Sequence, residues 1–116
     1  MKAILIDPFA RTISEVEYDG DYKSIYGFID CDTFDCVRIG FNDAAIFVDD
    51  EGLINDKEQE FFVWKGFDQP LAGKGLILGA DEDGGAVSPE LTVEEAKAHI
   101  TWLNYMGGGV FMEVPK

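Results

Sequence analysis

The sequence predicts an α+β domain built on a mainly antiparallel sheet of about six or seven short strands with two helices. Short apolar or alternating runs separated by turn residues recur along the 116 residues, and only two segments have helical periodicity. The resulting order, ββαββββαβ, lacks the regular strand–helix alternation of a parallel sheet. Because 47% of the residues are apolar and 13% are aromatic, one domain with one core is expected.

The first elements form a predicted hairpin followed by a helix. Residues 2–6 are an apolar run closed by Asp7 and Pro8, which is typical of a central, buried strand. Residues 12–18 alternate between two faces and predict a half-exposed strand. Asp21 is a candidate N-cap for a short helix, whose apolar face follows the i, i+3, i+4, i+7 pattern through Tyr22, Ile25, Tyr26 and Ile29.

The middle of the chain predicts four more strands, at residues 34–39, 44–48, 61–64 and 76–78. Residues 49–52 predict a turn, and residues 53–60 are polar and predict a loop. No regular structure is expected between Gly66 and Gly75, because Pro70 lacks an N–H donor and glycines are unfavourable within a strand or helix. Residues 81–85 predict a solvated turn.

The second helix has the clearest signal. Thr92 and Glu95 form a capping box, and an apolar face then extends the predicted helix to about Tyr105 through Val93, Ala96, Ile100 and Leu103. Glycines 107–109 are expected to end it, and residues 110–114 predict a last strand.

The charge of the chain excludes several function classes. Its 23 acidic and 9 basic residues give a formal net charge of −14, so direct binding to nucleic acid or to an anionic membrane is disfavoured. No run approaches the roughly 20 apolar residues of a membrane span, and the N-terminal run is too short for a signal peptide. A cytoplasmic location is expected, while the pattern does not predict an oligomeric state.

Neither metal nor cofactor binding is expected. Cys31 and Cys36 are interpreted as buried thiols in a reducing compartment, and with His99 as the single histidine they cannot complete a four-ligand zinc site. A calcium loop starting at Asp81 would need Gly and Glu where Ala86 and Thr92 stand. His99 is interpreted as structural, and no catalytic residue is predicted.

Many carboxylates lie close together in the sequence. Glu15 and Glu17 occupy one face of a predicted strand about 6.6 Å apart, a spacing similar to that of charges along a nucleic-acid strand. One hypothesis is an acidic surface that imitates DNA and binds a protein partner with a basic surface; the other interpretation is a solvated acidic surface. The predicted partner-binding residues are Glu15, Glu17, Asp19, Asp21, Asp30, Asp32, Asp35, Asp49, Asp50 and Glu51.

The segment PLAGKGLILG at residues 70–79 and the segment VDDEG at residues 48–52 are the most distinctive in the chain. Residues 1–85, which include both segments, resemble a family of small proteins that is classed as a domain of unknown function. Members of this family are carried by phages, plasmids and other mobile elements. The resemblance implies a mobile-element context and no catalytic residues. Such elements carry acidic proteins that block host defence, so the resemblance favours a non-enzymatic inhibitor.

A small-ligand binder is the alternative function. Gly73, Lys74 and Gly75 would present an ammonium group and open backbone N–H groups, although their spacing fits no dinucleotide or P-loop motif and favours a structural turn. In this alternative the loop at residues 66–79 binds a nucleotide-like molecule, and Trp64 and Tyr105 add further contacts.

Overall fold

The computed structural model describes residues 1–40, 44–49, 60–83, 85–108 and 110–114. These ranges contain ten strands and two helices, in the order β1 (Lys2–Asp7), β2 (Thr12–Glu17), α1 (Lys23–Ile29), β3 (Phe34–Arg38), β4 (Ala45–Asp49), β5 (Phe61–Trp64), β6 (Leu71–Ala72), β7 (Gly75–Ala80), β8 (Ala86–Val87), α2 (Val93–His99), β9 (Ile100–Gly107) and β10 (Val110–Glu113).

The strands form two antiparallel sheets rather than the single sheet of six or seven strands predicted. The larger sheet has the order β2-β1-β7-β4-β3, and β8 extends it by pairing with β7. The smaller sheet has the order β10-β9-β5-β6. All described strand pairs are antiparallel, so the α+β class is confirmed, as is the β1–β2 hairpin.

The larger sheet separates two hydrophobic clusters, because alternate residues of a strand point to opposite faces. On one face, Ile77 packs in a cluster with Phe62 and Trp64 from the smaller sheet. On the other, Leu76 and Leu78 pack against Ile25 and Ile29 of α1. The result is three layers: α1, the larger sheet, and the smaller sheet together with α2.

Gly75 allows the two sheets to approach each other. A Cβ atom at this position would lie 2.9 Å from Cγ2 of Ile46 and 3.2 Å from Cζ of Phe62. Real Cβ atoms essentially never come within 3.0 Å of another heavy atom. Only glycine therefore fits at the start of the buried central strand without displacing the core.

The helix α2 is shorter than predicted. Its capping box is confirmed, since Thr92 Oγ1 accepts from the Glu95 N–H (3.1 Å) and Glu95 Oε1 accepts from the Thr92 N–H (3.0 Å). The extension to Tyr105 is wrong, because Ile100 is extended (φ −108°, ψ 130°) and begins β9. The β-branched and aromatic residues that follow favour a strand, and Trp102 pairs with Phe62 of β5.

Three smaller predictions also need correction. The N-cap of α1 is Tyr22 rather than Asp21, although Asp21 Oδ1 still accepts from the Lys23 N–H (3.0 Å). The stretch between Gly66 and Gly75 contains β6, which pairs with β5, and β8 was not predicted at all. Gly107 and Gly108 (φ 89° and 60°) connect β9 to β10 instead of ending a helix, since residues 100–107 are already a strand.

Other sequence features have mixed outcomes. Both cysteines were expected to be buried, but Cys31 is only half-buried and Cys36, on the edge strand β3, is exposed. Of the predicted turn at residues 49–52 and the predicted loop at residues 53–60, residues 50–59 lie outside the described residues. In the part of the chain that the structure describes, no helix is long and apolar enough to cross a membrane.

Candidate functional site

Glu15 and Glu17 lie on β2, at one edge of the larger sheet, and both have cationic partners. The Lys2 ammonium is 3.3 Å from Glu15 Oε1, and the N-terminal amino group is 3.4 Å from Glu17 Oε2. Both carboxylates are exposed, so each pair is worth little in stability. The pairs nevertheless compensate part of the negative charge that was predicted here.

A second group of carboxylates lies at the two ends of α1. Asp19 and Asp21 precede the helix, and Asp30 and Asp32 follow it, all four exposed. Asp19 accepts from the Asp21 N–H (2.9 Å) and from the Ser24 hydroxyl (2.7 Å). These two hydrogen bonds lower the pKa of Asp19, with the backbone bond as the larger cause. The carboxylate is therefore ionised and fixed in position.

Buried beneath this group is Tyr18, at the end of the strand segment that leads into α1. Burial raises the pKa of Tyr18, and the negative charges of Asp19 and Asp21 add to the rise. The phenol therefore stays protonated and neutral under the acidic end of α1.

Asp30 is in the left-handed region (φ 53°, ψ 52°) as the C-cap of α1. Its Oδ2 accepts a hydrogen bond from the Lys74 ammonium at 2.8 Å. This bond raises the pKa of Lys74 even though partial burial acts in the opposite direction. The contact joins the predicted acidic set to the lysine of the alternative ligand-binding loop.

The remaining acids lie at the opposite edge of the larger sheet. Asp35 is exposed on the edge strand β3, and Asp49, at the end of β4, pairs with Phe34. Edge strands β2 and β3 are four strand intervals apart, or roughly 19 Å. The described acids therefore form separate groups rather than one patch, and Asp50 and Glu51 lie outside the described residues.

The residues of the alternative ligand site lie in different surroundings. Gly73 is buried with φ 78°, and its N–H donates to the Glu60 carbonyl at 2.9 Å. Lys74 lines a shallow depression with Asp7 and Asp30, so its positive charge faces two carboxylates. Gly75 packs between the two sheets, against Ile46 and Phe62.

The two aromatic residues of the same alternative, Trp64 and Tyr105, contact other aromatic rings. Trp64 is buried and stacks on the ring of His99, with centroids 5.0 Å apart and planes at 16°. His99 Nδ1 is 2.8 Å from the Glu95 carbonyl, which fits the structural role expected for this histidine. Tyr105 contacts Phe61 and Phe111 on the smaller sheet.

A cleft that carries positive charge was not predicted from the sequence. Arg11, in the turn between β1 and β2, and Lys97, in the last turn of α2, line a space of about 420 Å³ together with Trp102 of β9. Two scattered basic residues 86 positions apart give no local motif. The one signal available from the chain was Arg11, a residue with a long side chain in a short hairpin turn.

Metal binding has no geometric support in the described residues. Among them, no three or more His, Cys, Asp or Glu side chains are grouped so that they could hold a metal ion.

Comparison with known proteins places the chain in a family. A family model described as "Domain of unknown function (DUF3846)" matches residues 1–101. The chain belongs to this family. The uncharacterized protein y4iR of Sinorhizobium fredii (strain NBRC 101917 / NGR234) is 34% identical over 100 residues, which cover 84% of this chain and 60% of that protein. The chain thus spans about 60% of the length of this relative. No solved structure matches this chain.

Membership in this family confirms the resemblance to a domain of unknown function, while the mobile-element context stays a prediction. Neither the family description nor the name of the relative states a reaction or a binding partner. The function therefore has to be inferred from the surfaces described above.

Proposed function

We propose that the protein is a non-enzymatic interaction protein whose carboxylates around α1 bind a basic surface on a protein partner. The observation that carries the proposal is the charge of this segment: residues 19–32 contain four aspartates and one lysine. Opposite charge on a partner would steer association and set its orientation.

The positions of these carboxylates support a specific surface rather than a merely solvated one. Asp19 is fixed by two hydrogen bonds, and Asp21 is held by its bond to the Lys23 N–H. Groups that are already ordered lose less conformational entropy on binding. Asp32 adds an exposed carboxylate at the far end of the helix.

DNA mimicry is the finer form of the proposal. Seven helical residues span about 10.5 Å, so the two acidic ends of α1 are separated by a distance on the order of a DNA groove width, about 6 to 12 Å. A DNA-binding protein of a host defence system would meet two lines of negative charge there. Glu15 and Glu17 of β2 and Asp30 after α1 contribute less to such a surface, because each has a cationic partner.

The alternative function, ligand binding by residues 66–79, has less support. Lys74 is engaged by Asp30, and Gly75 is required by the packing of the core. A ligand at this loop would have to compete with an existing ion pair.

Competition with DNA tests the proposal. A bacterial lysate is bound to DNA-cellulose at low salt, and the purified protein is then added to displace DNA-binding proteins, which are identified by mass spectrometry. We expect the wild type to release a defined set of proteins, with the release weakening as salt rises. The triple variant D19N/D21N/D32N should release far less. The Asn at position 21 keeps an oxygen that can accept from the Lys23 N–H, and the Asn at position 19 keeps an oxygen for the Asp21 N–H while its NH2 group can donate to the Ser24 hydroxyl.

The matched control is D68N/E82Q/D83N, which changes the charge by the same three units at exposed positions outside residues 19–32. It should behave like the wild type. If both triple variants lose displacement equally, net charge rather than the α1 surface is responsible. If the wild type releases nothing, the DNA-mimic proposal is wrong.

A further inference from the structure

The cleft lined by Arg11, Lys97 and Trp102 is the second unusual surface of this molecule. It lies where the turn between β1 and β2 meets the last turn of α2 and the first residues of β9. Its volume of about 420 Å³ falls within the range of small-molecule sites, roughly 300 to 1,000 Å³.

The charge of the cleft is opposite to that of the chain. Of the 32 charged residues, 23 are acidic, yet the charged side chains that line this cleft among the described residues are both cationic. The Arg11 guanidinium donates to the neutral amide oxygen of Asn104 at 3.4 Å, which orients it without compensating its charge. Lys97 has Glu94 at 3.5 Å, an exposed pair that an incoming anion could replace at little cost.

The backbone of Arg11 gives an independent indication. Its φ of 56° lies in the left-handed region, which is sterically unfavourable for a non-glycine residue. Asp7 holds the turn in place, because its Oδ1 accepts from the N–H groups of Phe9 and Ala10. Glycine would satisfy this turn without strain, so what arginine adds is a guanidinium at the cleft. Strained residues of this kind cluster at ligand sites.

The other lining groups indicate which kind of anion fits. Thr12 and Thr101 supply hydroxyl groups, which can donate to phosphate oxygens. Half-buried Trp102 supplies an aromatic ring, which packs edge-on against Phe62 (centroids 6.4 Å apart, planes at 72°). Arginine and lysine together are the usual partners of phosphate, and an aromatic ring favours a flat, apolar group beside it.

We propose that this cleft binds a small phosphorylated molecule with a flat ring, of the nucleoside monophosphate class, with Arg11 and Lys97 on the phosphate and Trp102 against the ring. The site differs from the α1 surface in position and in the sign of its charge. It therefore stands whether or not the protein-partner proposal is correct.

Tryptophan fluorescence provides a direct assay. The chain has two tryptophans, and Trp64 is buried, so a ligand in the cleft should change the emission of Trp102. The intact protein is titrated with adenosine monophosphate, adenosine, ribose 5-phosphate and inorganic phosphate. We expect saturable binding of adenosine monophosphate, at least tenfold weaker binding of adenosine and of inorganic phosphate, and an intermediate result for ribose 5-phosphate.

The substitution Arg11→Gly separates binding from folding. Glycine relieves the left-handed strain, so R11G should melt at or above the temperature of the wild type while its affinity for adenosine monophosphate falls at least tenfold. Lys97→Gln should also weaken binding. Lys23→Gln, on α1, removes one positive charge elsewhere and should leave the affinity unchanged.

Two results would overturn the proposal. One is the absence of saturable binding for all four probes at millimolar concentration. The other is binding that does not depend on the cleft. If R11G and K97Q leave the affinity unchanged, the anion binds at another place, and if K23Q weakens binding as much as they do, the anion is held by overall charge.

Discussion

Gly75→Ala tests how the two sheets fit together. The added Cβ would lie 2.9 Å from Ile46 Cγ2 and 3.2 Å from Phe62 Cζ, and neither side chain is exposed. Overpacking of this kind costs about 1 to 3 kcal/mol. Alanine in place of glycine within a strand returns about 0.5 to 1 kcal/mol. The difference is a loss of about 0 to 2.5 kcal/mol. Because the closest contact is with a buried, branched side chain, we expect G75A to lie in the upper part of this range and to lower the free energy of unfolding by about 1 to 2 kcal/mol.

Equilibrium unfolding in urea, followed by far-UV circular dichroism, measures this loss. Gly27→Ala is the matched control, because a Cβ atom added to Gly27 of α1 would have no neighbour within 4 Å among the described residues. Since alanine is the better helix former, G27A should stabilise the protein by about 0.5 to 1 kcal/mol. A G75A protein that is as stable as the wild type would refute the close approach of the two sheets at this point.

A double substitution locates the clash. Ile46→Leu removes the Cγ2 branch that the new Cβ would meet, so in the G75A background it should cost less than it does alone. Additive losses would mean that the strain of G75A arises elsewhere.

Three further predictions concern capping and ionisation. Thr92→Ala removes the side-chain half of the capping box and should reduce the free energy of unfolding by about 1 kcal/mol in the same urea assay, whereas T92S should not. The pKa of Asp19 is lowered by folding, so the contribution of Asp19 to stability is complete above its unfolded pKa and is lost as the pH falls through its folded pKa. Ser24→Ala removes one of the hydrogen bonds and should raise the folded pKa of Asp19 in an NMR titration. An unchanged pKa would contradict the assigned cause. The pKa of Lys74 is raised by Asp30, so the contribution of Lys74 to stability is present below its unfolded pKa and is lost as the pH rises through its folded pKa. D30N should therefore flatten the alkaline part of the plot of unfolding free energy against pH. An identical plot would show that the pair is not formed.

Local signals in the sequence predicted the local structure well. The β1–β2 hairpin, the capped start of α2 and the strand at Phe61–Trp64 each depend on neighbouring residues, and all three are confirmed. Propensity and alternation act over a few positions, which is why these elements could be identified from the chain alone.

The errors arise where pairing over long distances decides the structure. Ile100 and Leu103 continue the helical spacing of α2, but pairing with Trp64 and Phe61 draws them into β9. Strand content also does not specify which strands share a sheet, so the division into two sheets could not be predicted. For the same reason the pattern placed the acids of β2 and β3 on one surface, while the topology puts these strands at opposite edges.

The two proposed surfaces should respond differently to salt. Binding of a basic protein to the α1 carboxylates depends on several exposed charges, so a few-fold increase in ionic strength from low salt should weaken it strongly. An anion that approaches the Arg11 cleft meets short-range attraction from two cations and long-range repulsion from a chain of charge −14. Salt screens the repulsion over the Debye length of about 10 Å at 0.1 M, while contacts at hydrogen-bond distance are screened less. Affinity for adenosine monophosphate should therefore fall much less with salt than partner binding does; equal slopes would mean that both ligands sense only the overall charge of the protein.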